Sequence, residues 1–520
     1  MYRNLKWLIL CLYCSQLHAQ LLDLETLESD ATFTYTNPDR AYNDGEKAIK
    51  LKIFQPNSKL PSIIAQSVYL QALYMDKIQL DDLTERFGNL EKLQILSLNS
   101  NKLTQIPESF SRLQSLRKLS MEKNRFTSFP MALCDLSTLA VLDLSKNEMV
   151  EIPDGIGQMQ GLTEADFSYN YLLKVSENIS QLKSLLKLNL SKNKLEQFPK
   201  GISELTQLQT VELGPNPLKK PEEVFKIIEP LQELTELSLK GLGISQIPAS
   251  FTKNRKIIHL SLEQNKLTRI PESFFDMKQL TWLDLGSNQI DSLGNQISQL
   301  ENLVWLNLEG NRLKQLPNRI ASLTNLKYLS LRSMQMEQFP EIISSLTELE
   351  ELNLSNLQIK KLSEKIVQLE KLEILHLGFC RFLEQASSLE TLAKMKNLKV
   401  LSLAGAQAKS LPVQIGKLLT LEKLDLSDNE YKTIPETLFD LKNLKELNLS
   451  SLKITELSEQ IKKLESLEVL DLRYNVELKS LPEAIKNLKS LRVLYLHNTA
   501  LGEDLKEQVQ QWLPETDIYF

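Results

Sequence analysis

The side chains best suited to acid–base or metal chemistry are few, scattered and outside any known motif. Beyond the first twenty residues there are three histidines, His259, His376 and His497, and their spacing is not that of metal ligands. The sequence has no phosphate-binding G-x-x-x-x-G-K-[ST], no G-x-S-x-G and no zinc-binding H-E-x-x-H. Asp and Glu are abundant, as on any charged, solvated surface. We therefore expect no catalysis, no metal and no cofactor.

Aromatic side chains show a more informative spacing. Four of them recur at steps of 23 residues: His259, Trp282, Trp305 and Tyr328. Trp and Tyr are enriched in binding hot spots because they bury much area at a low cost in entropy. Such a spacing has meaning only if the chain itself repeats every 23 residues.

The chain does repeat in this way. An LxxLxL pattern returns every 23 residues nearly throughout, with steps of 26 after Leu208 and Leu372 and of 24 after Leu467. A weaker unit with Ala48, Leu51 and Ile53 precedes the series, which gives about twenty repeats. The first apolar residues of the clear units are Leu70, Leu93, Leu116, Leu139, Leu162, Leu185, Leu208, Leu234, Ile257, Leu280, Leu303, Leu326, Leu349, Leu372, Leu398, Leu421, Leu444, Leu467 and Leu491.

One unit shows what the repeat predicts. Leu96 and Leu98 alternate with polar residues, which indicates a short strand with one buried face. Pro107 ends any strand, and the apolar residues after it recur every three positions, as in a 3₁₀ helix. Burying the apolar side chains of one unit contributes on the order of 10–20 kcal/mol. Ordering its backbone costs about 1–2 kcal/mol per residue, so single units cannot fold alone and must stack.

An asparagine eight residues after the first leucine is expected to be buried and to bond backbone groups of its own and the adjacent turn. Other residues replace it in seven units, four of them in succession from Met334 to Ala406, where we expect a locally different turn. The asparagines of this ladder are Asn101, Asn124, Asn147, Asn170, Asn193, Asn216, Asn265, Asn288, Asn311, Asn429 and Asn475.

These units resemble the leucine-rich-repeat family, in its LxxLxLxxNxLxxIPxxIxxLxx subclass, which occurs in bacterial secreted proteins and in Ras-group scaffolds. The resemblance implies an α/β solenoid: a curved horseshoe with a concave parallel β-sheet and short 3₁₀ or α segments on its convex side. Positions three, five, seven and eight of each unit would then face outward on the sheet. Strands about 4.8 Å apart would align the four aromatic residues as one stripe. Glu309, Lys327 and Arg332 would form a weak polar rim around it.

Four segments are expected along the chain. Residues 1–19 read as a signal peptide, with Arg3 and Lys6 before a short apolar run and cleavage after Ala19. Residues 20–47 are an N-terminal cap, residues 48–501 the repeat array, and residues 502–520 a C-terminal cap of one helix and a final strand. An uncleaved N-terminal tail is the alternative for the first segment. No stretch approaches the roughly 18 apolar residues of a membrane helix.

The sequence therefore predicts a non-enzymatic module in the periplasm or at the cell surface that binds a protein, possibly a glycan, on the concave face. The net charge of −5 argues against a nucleic-acid partner. Four alternatives stay open. The first is an intracellular, cytoplasmic scaffold that regulates a GTPase, phosphatase or kinase pathway. The second is an enzyme in which repeats are fused to a catalytic domain, and the third is a structural surface protein. In the fourth, the aromatic stripe only stiffens the sheet and binds no partner. Oligomeric state is not predicted.

Overall fold

A computed structural model describes residues 21–54 and 64–520. The predicted signal peptide, residues 1–19, lies outside the described residues. The chain divides into two compact units. The first extends to Ile244 and includes Ser250–Ile257, and the second consists of Ser245–Ala249 and Ile258–Phe520.

The first unit has a parallel sheet in which strands one repeat apart are neighbours. Strands β7 and β9 form a separate parallel pair outside this sheet. The strands are β1 (Thr34–Tyr35), β2 (Lys50–Lys52), β3 (Ala72–Tyr74), β4 (Ile95–Ser97), β5 (Lys118–Ser120), β6 (Val141–Asp143), β7 (Glu151–Ile152), β8 (Glu164–Asp166), β9 (Lys174–Val175), β10 (Lys187–Asn189), β11 (Thr210–Glu212) and β12 (Glu236–Ser238).

The second unit repeats this arrangement, and its neighbouring strands are parallel and one repeat apart. Its strands are β13 (His259–Ser261), β14 (Trp282–Asp284), β15 (Trp305–Asn307), β16 (Tyr328–Ser330), β17 (Glu351–Asn353), β18 (Ile374–His376), β19 (Val400–Ser402), β20 (Lys423–Asp425), β21 (Glu446–Asn448), β22 (Val469–Asp471), β23 (Val493–Tyr495) and β24 (Asp517–Tyr519).

Short helices follow the strands. The α-helices are α1 (Leu24–Glu28), α2 (Pro38–Asp44), α3 (Val224–Ile228), α4 (Gln385–Leu392) and α5 (Glu503–Trp512). The 3₁₀ helices are Gly45–Lys47, Ile64–Gln66, Glu85–Asn89, Glu108–Arg112, Met131–Asp135, Asp154–Gln158, Glu177–Gln181, Lys200–Glu204, Pro221–Glu223, Ala249–Lys253, Glu272–Asp276, Asn295–Gln299, Asn318–Ser322, Glu341–Ser345, Glu364–Gln368, Val413–Lys417, Glu436–Asp440, Glu459–Lys463 and Glu483–Asn487. Parallel three-residue strands with 3₁₀ helices between them confirm the predicted solenoid class.

The leucines form the interior of each unit. In the repeat that contains β15, Leu303, Leu306 and Leu308 are completely buried. The strand residues on either side of Leu306 point to the opposite face of the sheet, because successive side chains of a strand alternate. One face of the sheet is therefore fixed by the core, and the other is free to vary.

The asparagine ladder is built as its position predicts. Asn311 is buried, and its side-chain Nδ2 donates to the carbonyl oxygens of Leu285 and Leu308, each at 2.9 Å. Its Oδ1 accepts from the backbone N–H of Ile290 at 2.9 Å. Each such amide therefore satisfies groups in two neighbouring turns, which an apolar residue cannot do.

The four successive units without asparagine, from Met334 to Ala406, keep the backbone conformation of the turn at its key residue. The residue before each lost asparagine remains left-handed, with φ between 57° and 65° at Ser333, Asn356, Phe379 and Gly405. At this residue the expectation of a different turn was wrong, because neighbouring repeats hold the backbone in place. At Cys380 a thiol takes over one bond: its Sγ donates to the Leu354 carbonyl oxygen at 3.2 Å.

Candidate functional site

The exposed face of the second unit brings the four predicted aromatic residues into one row. His259, Trp282, Trp305 and Tyr328 are the first residues of β13 to β16, and each is the register partner of the next. The buried leucine after each ring anchors its strand to the core. We call Trp282, Trp305 and Tyr328 the aromatic stripe, with His259 at its end.

The three larger rings are stacked face to face. The ring centroids of Trp282 and Trp305 are 4.3 Å apart with planes 10° from parallel. Those of Trp305 and Tyr328 are 4.6 Å apart and 6° from parallel. His259 differs, because its ring lies 6.4 Å from Trp282 and is tilted by 65°. Both faces of the Trp305 ring are thus covered by its neighbours.

The stripe remains partly open to solvent. Trp282, Trp305 and Tyr328 are half-buried and His259 is exposed. Burial raises the pKa of the Tyr328 phenol above its ordinary value, so this hydroxyl stays protonated at neutral pH. The stripe therefore presents ring edges and a neutral hydroxyl rather than charge.

The three residues expected to form a polar rim differ in their contacts and exposure. Lys327 Nζ forms an ion pair with Glu350 Oε1 at 2.8 Å, and the hydrogen bond that it donates to this carboxylate raises the pKa of Lys327. Arg332 is exposed and Glu309 is half-buried. Glu309 lies beside Gly286, where an added Cβ would come within 3.2 Å of Glu309 Cγ.

A second polar row, which was not predicted, runs below the stripe. Asp284 Oδ1 accepts from the Gly286 N–H at 2.9 Å and from Asn307 Nδ2 at 3.0 Å, and Asn307 Oδ1 accepts from the Glu309 N–H at 3.0 Å. The signal was available in the sequence, because Asp or Asn recurs at position five of many repeats. This row fixes the turn beside the stripe, so its role is positioning.

The other histidines and cysteines of residues 21–54 and 64–520 lie apart from the aromatic stripe along the chain. His376 lies 3.4 Å from a Glu351 carboxylate oxygen, far along the chain from His259 and His497. Cys134 and Cys380 are free and buried, and burial raises the pKa of each thiol to about 11. Among residues 21–54 and 64–520, no group of three or more His, Cys, Asp or Glu is placed to hold a metal ion. In the same residues no helix is long and apolar enough to cross a membrane.

Comparison with known proteins connects this geometry to a family. A family model described as a leucine-rich repeat matches residues 70–126, 232–290, 396–454 and 443–501. A search of curated protein sequences finds no match.

Solved structures with the same repeat align over nearly the whole chain. A leucine-rich-repeat protein of Leptospira interrogans is 27% identical, with a TM-score of 0.54, and the alignment covers 94% of this chain and 100% of that one. The ectodomain of the Arabidopsis thaliana receptor kinase GASSHO1/SCHENGEN3, solved in complex with CASPARIAN STRIP INTEGRITY FACTOR 2, is 22% identical with a TM-score of 0.53. That alignment covers 90% of this chain and 75% of the ectodomain. The structure of a TDR receptor is 24% identical with a TM-score of 0.57, and the alignment covers 85% of this chain and 82% of the receptor chain. The two receptors share the fold with this chain.

Proposed function

This chain is a leucine-rich-repeat protein, and on that premise we propose that it is an exported, non-catalytic module that binds a protein through the aromatic stripe. Proteins of this fold commonly bind other proteins, and the partner is set by the exposed face rather than by the fold. The single observation that carries the proposal is the stack of Trp282, Trp305 and Tyr328 on that face.

The stack is a good anchor for a partner because it is rigid before binding. Each ring is held by its neighbour and by a strand in the sheet, so little side-chain entropy is lost when it is covered. Half-buried tryptophans, with the exposed Arg332 expected at their rim, have the composition of an interface hot spot.

The orientation of the rings favours a protein over a glycan. Sugars pack their C–H groups against the face of an aromatic ring, where the π electrons lie. Both faces of Trp305 are already occupied by Trp282 and Tyr328. Ring edges instead suit aliphatic and aromatic side chains and the carbonyl oxygens of a polypeptide, because the edge of the ring carries partial positive charge.

Binding is tested with the purified chain beginning at Gln20, immobilised and exposed to envelope fractions of the source cells, with mass spectrometry of the retained proteins. The double variant Trp282→Ala/Trp305→Ala should lose a protein that the unaltered chain retains. The control is Tyr474→Ala/Val476→Ala, which removes two exposed apolar side chains of the same unit outside the stripe. Measured affinity should fall about 30-fold or more in the stripe variant, the effect of a loss of about 2 kcal/mol.

Thermal unfolding separates binding from a structural role. Loss of the stack should cost about 1 kcal/mol in the free energy of unfolding. If the stripe variant unfolds more easily but retains the same proteins, the rings only stiffen the sheet and the proposal is wrong.

Export is tested independently by the N-terminus of the protein made in cells. We expect mature chains that begin at Gln20 and that fractionate outside the cytoplasm. A cytoplasmic chain retaining residues 1–19 would instead support the scaffold alternative, in which the partner belongs to a GTPase, phosphatase or kinase pathway.

A further inference from the structure

The first unit carries an exposed apolar cluster away from the strands of its main sheet. Val150, Tyr169, Tyr171 and Leu173 are 47%, 45%, 55% and 65% exposed. Tyr169, Tyr171 and Leu173 alternate along one segment with two buried residues, Asn170 of the asparagine ladder and Leu172 of the core. We call the four exposed residues the tyrosine patch.

The backbone under the tyrosine patch is held more firmly than an ordinary loop. The Tyr171 N–H donates to the Met149 carbonyl oxygen at 2.9 Å, and the Leu173 N–H donates to the Val150 carbonyl oxygen at 2.8 Å. Strands β7 and β9 continue this pairing directly after the patch. The apolar side chains are therefore presented on a fixed backbone and do not fold back to cover one another.

Cationic side chains of neighbouring repeats surround the patch. Lys192 Nζ lies 4.1 Å and Lys146 Nζ 5.8 Å from the Tyr169 ring centroid. Lys146 also pairs with Glu122. Of the surrounding charges that form no ion pair among the described residues, five are exposed cations and two are exposed carboxylates: Lys123, Arg125, Lys174, Lys192, Lys194, Glu148 and Glu151.

We propose that the tyrosine patch docks on a lipid bilayer that carries anionic headgroups. Leu173, Val150 and the ring of Tyr171 would enter the boundary between headgroups and acyl chains, and Lys192, Lys194, Lys123 and Arg125 would contact the anionic headgroups. Apolar side chains beside lysines and arginines supply the two contributions that peripheral attachment requires.

A soluble polyanion and a folded protein each fit the tyrosine patch less well than a lipid bilayer. A soluble polyanion uses the lysines but leaves Leu173 and Val150 exposed to water. A folded protein requires a complementary surface of roughly 800 Å² on each side. The apolar residues of the patch come from two adjacent segments of chain, which is a narrow contact for a folded partner and sufficient for insertion into a fluid surface.

The test is co-sedimentation of the chain beginning at Gln20 with lipid vesicles. Vesicles of phosphatidylcholine alone are compared with vesicles containing equal parts of phosphatidylcholine and phosphatidylglycerol. The unaltered chain should bind the anionic vesicles at least about tenfold more tightly. Tyr171→Ser/Leu173→Ser should lose about tenfold or more of that affinity, and Lys192→Gln/Lys194→Gln about 20-fold.

Matched controls keep the result specific. Tyr474→Ser/Val476→Ser removes equally exposed apolar residues of the second unit, and Lys314→Gln/Lys360→Gln removes two exposed lysines there. Both controls should bind as the unaltered chain does, and circular dichroism should show all variants folded. Equal binding to both vesicle types overturns the proposal. The proposal is also wrong if Tyr171→Ser/Leu173→Ser binds the anionic vesicles as tightly as the unaltered chain and heparin displaces the chain from them. That result would mean that the lysines bind a soluble polyanion.

Discussion

The first residues of two neighbouring strands form an ion pair in the first unit and an indole stack in the second. In the first unit Lys187 Nζ lies 2.9 Å from Glu164 Oε1 across β8 and β10. In the second unit Trp282 and Trp305 occupy the equivalent positions of β14 and β15 and stack at 4.3 Å. The strand register is the same in both, and a buried residue follows each outward position, Ala165 and Leu188 in the first unit and Leu283 and Leu306 in the second.

The groups that surround the two pairs also differ. Around the ion pair, burial raises the pKa of the half-buried Asp166, and Glu212 has a raised pKa as well. Around the indole stack, the outward groups include the neutral Tyr328 hydroxyl and the Asp284 carboxylate, which accepts a hydrogen bond from the Asn307 amide. The ion pair therefore weakens with added salt, whereas the ring stack itself is held mainly by dispersion and desolvation. The buried residues therefore fix the backbone and the strand register, whereas the side chains on the exposed face can differ from one unit to the other.

The largest effect should come from the interior that the two units share. Asn147→Ala in the first unit and Asn311→Ala in the second each leave buried carbonyl oxygens without their amide donor. We expect each to lower the free energy of unfolding by about 2–3 kcal/mol, because an unsatisfied buried group costs about 1–3 kcal/mol. Urea unfolding measures the loss, and hydrogen exchange locates it. Clearly unequal losses would mean that the two interiors are not equivalent.

An intermediate effect is expected from exchanging the two faces. Glu164→Trp/Lys187→Trp should create a stacked indole pair in the first unit, and Trp282→Glu/Trp305→Lys should create an ion pair in the second. Each exchange should change the free energy of unfolding by about 1 kcal/mol, since exposed ion pairs and aromatic pairs are each worth about that much or less. Near-ultraviolet circular dichroism reports indole coupling, which should appear in the first variant and disappear in the second. Failure of either variant to fold would show that the face constrains the backbone.

The smallest effect concerns pH. Partial burial of its carboxyl group raises the pKa of Glu212, and the charges of Asp166 and Glu236 raise it further. The folded chain therefore binds more protons than the unfolded chain just above the ordinary carboxyl range, so this group's contribution to stability falls as pH rises through that window. At pH 7, Glu212→Gln should therefore be more stable than the unaltered chain and unfold at a higher temperature. The gain in the free energy of unfolding should be at most about 1 kcal/mol.

Thermal unfolding across the acid range checks the sign of that effect. The advantage of Glu212→Gln should shrink as pH falls below the ordinary carboxyl pKa, where Glu212 is protonated in both states. The second unit offers a contrast, because Trp305→Phe should change stability equally at every pH.

Much of the fold was predictable because the signal was repeated many times. The spacing of Leu93, Leu116 and their successors predicted the strands, their register and the 3₁₀ helices, and these predictions are confirmed. The left-handed turn at Ser333 and Phe379 was not predicted, since the loss of asparagine suggested a local change. Neighbouring repeats override that local loss.

The candidate site was predictable only in part. The sequence predicted that Trp282, Trp305 and Tyr328 would share one face, and they do. It did not predict that Lys327 pairs with Glu350, because side-chain direction at a strand end depends on packing. The support from Asp284 and Asn307 was also missed, although the residues recur at a fixed position. Whether the stripe binds a partner stays a prediction.

By itself the sequence determined which residues lie side by side, because a constant repeat length converts position in the chain into position in the sheet. Only the tertiary structure decided how those neighbours meet. It stacked Trp305 between two rings, gave Lys327 its carboxylate and joined β7 to β9 beside the tyrosine patch. The physical reason is that repeat spacing fixes the backbone, whereas ring orientation and ion pairing are settled by contacts between side chains whose distances the spacing leaves open.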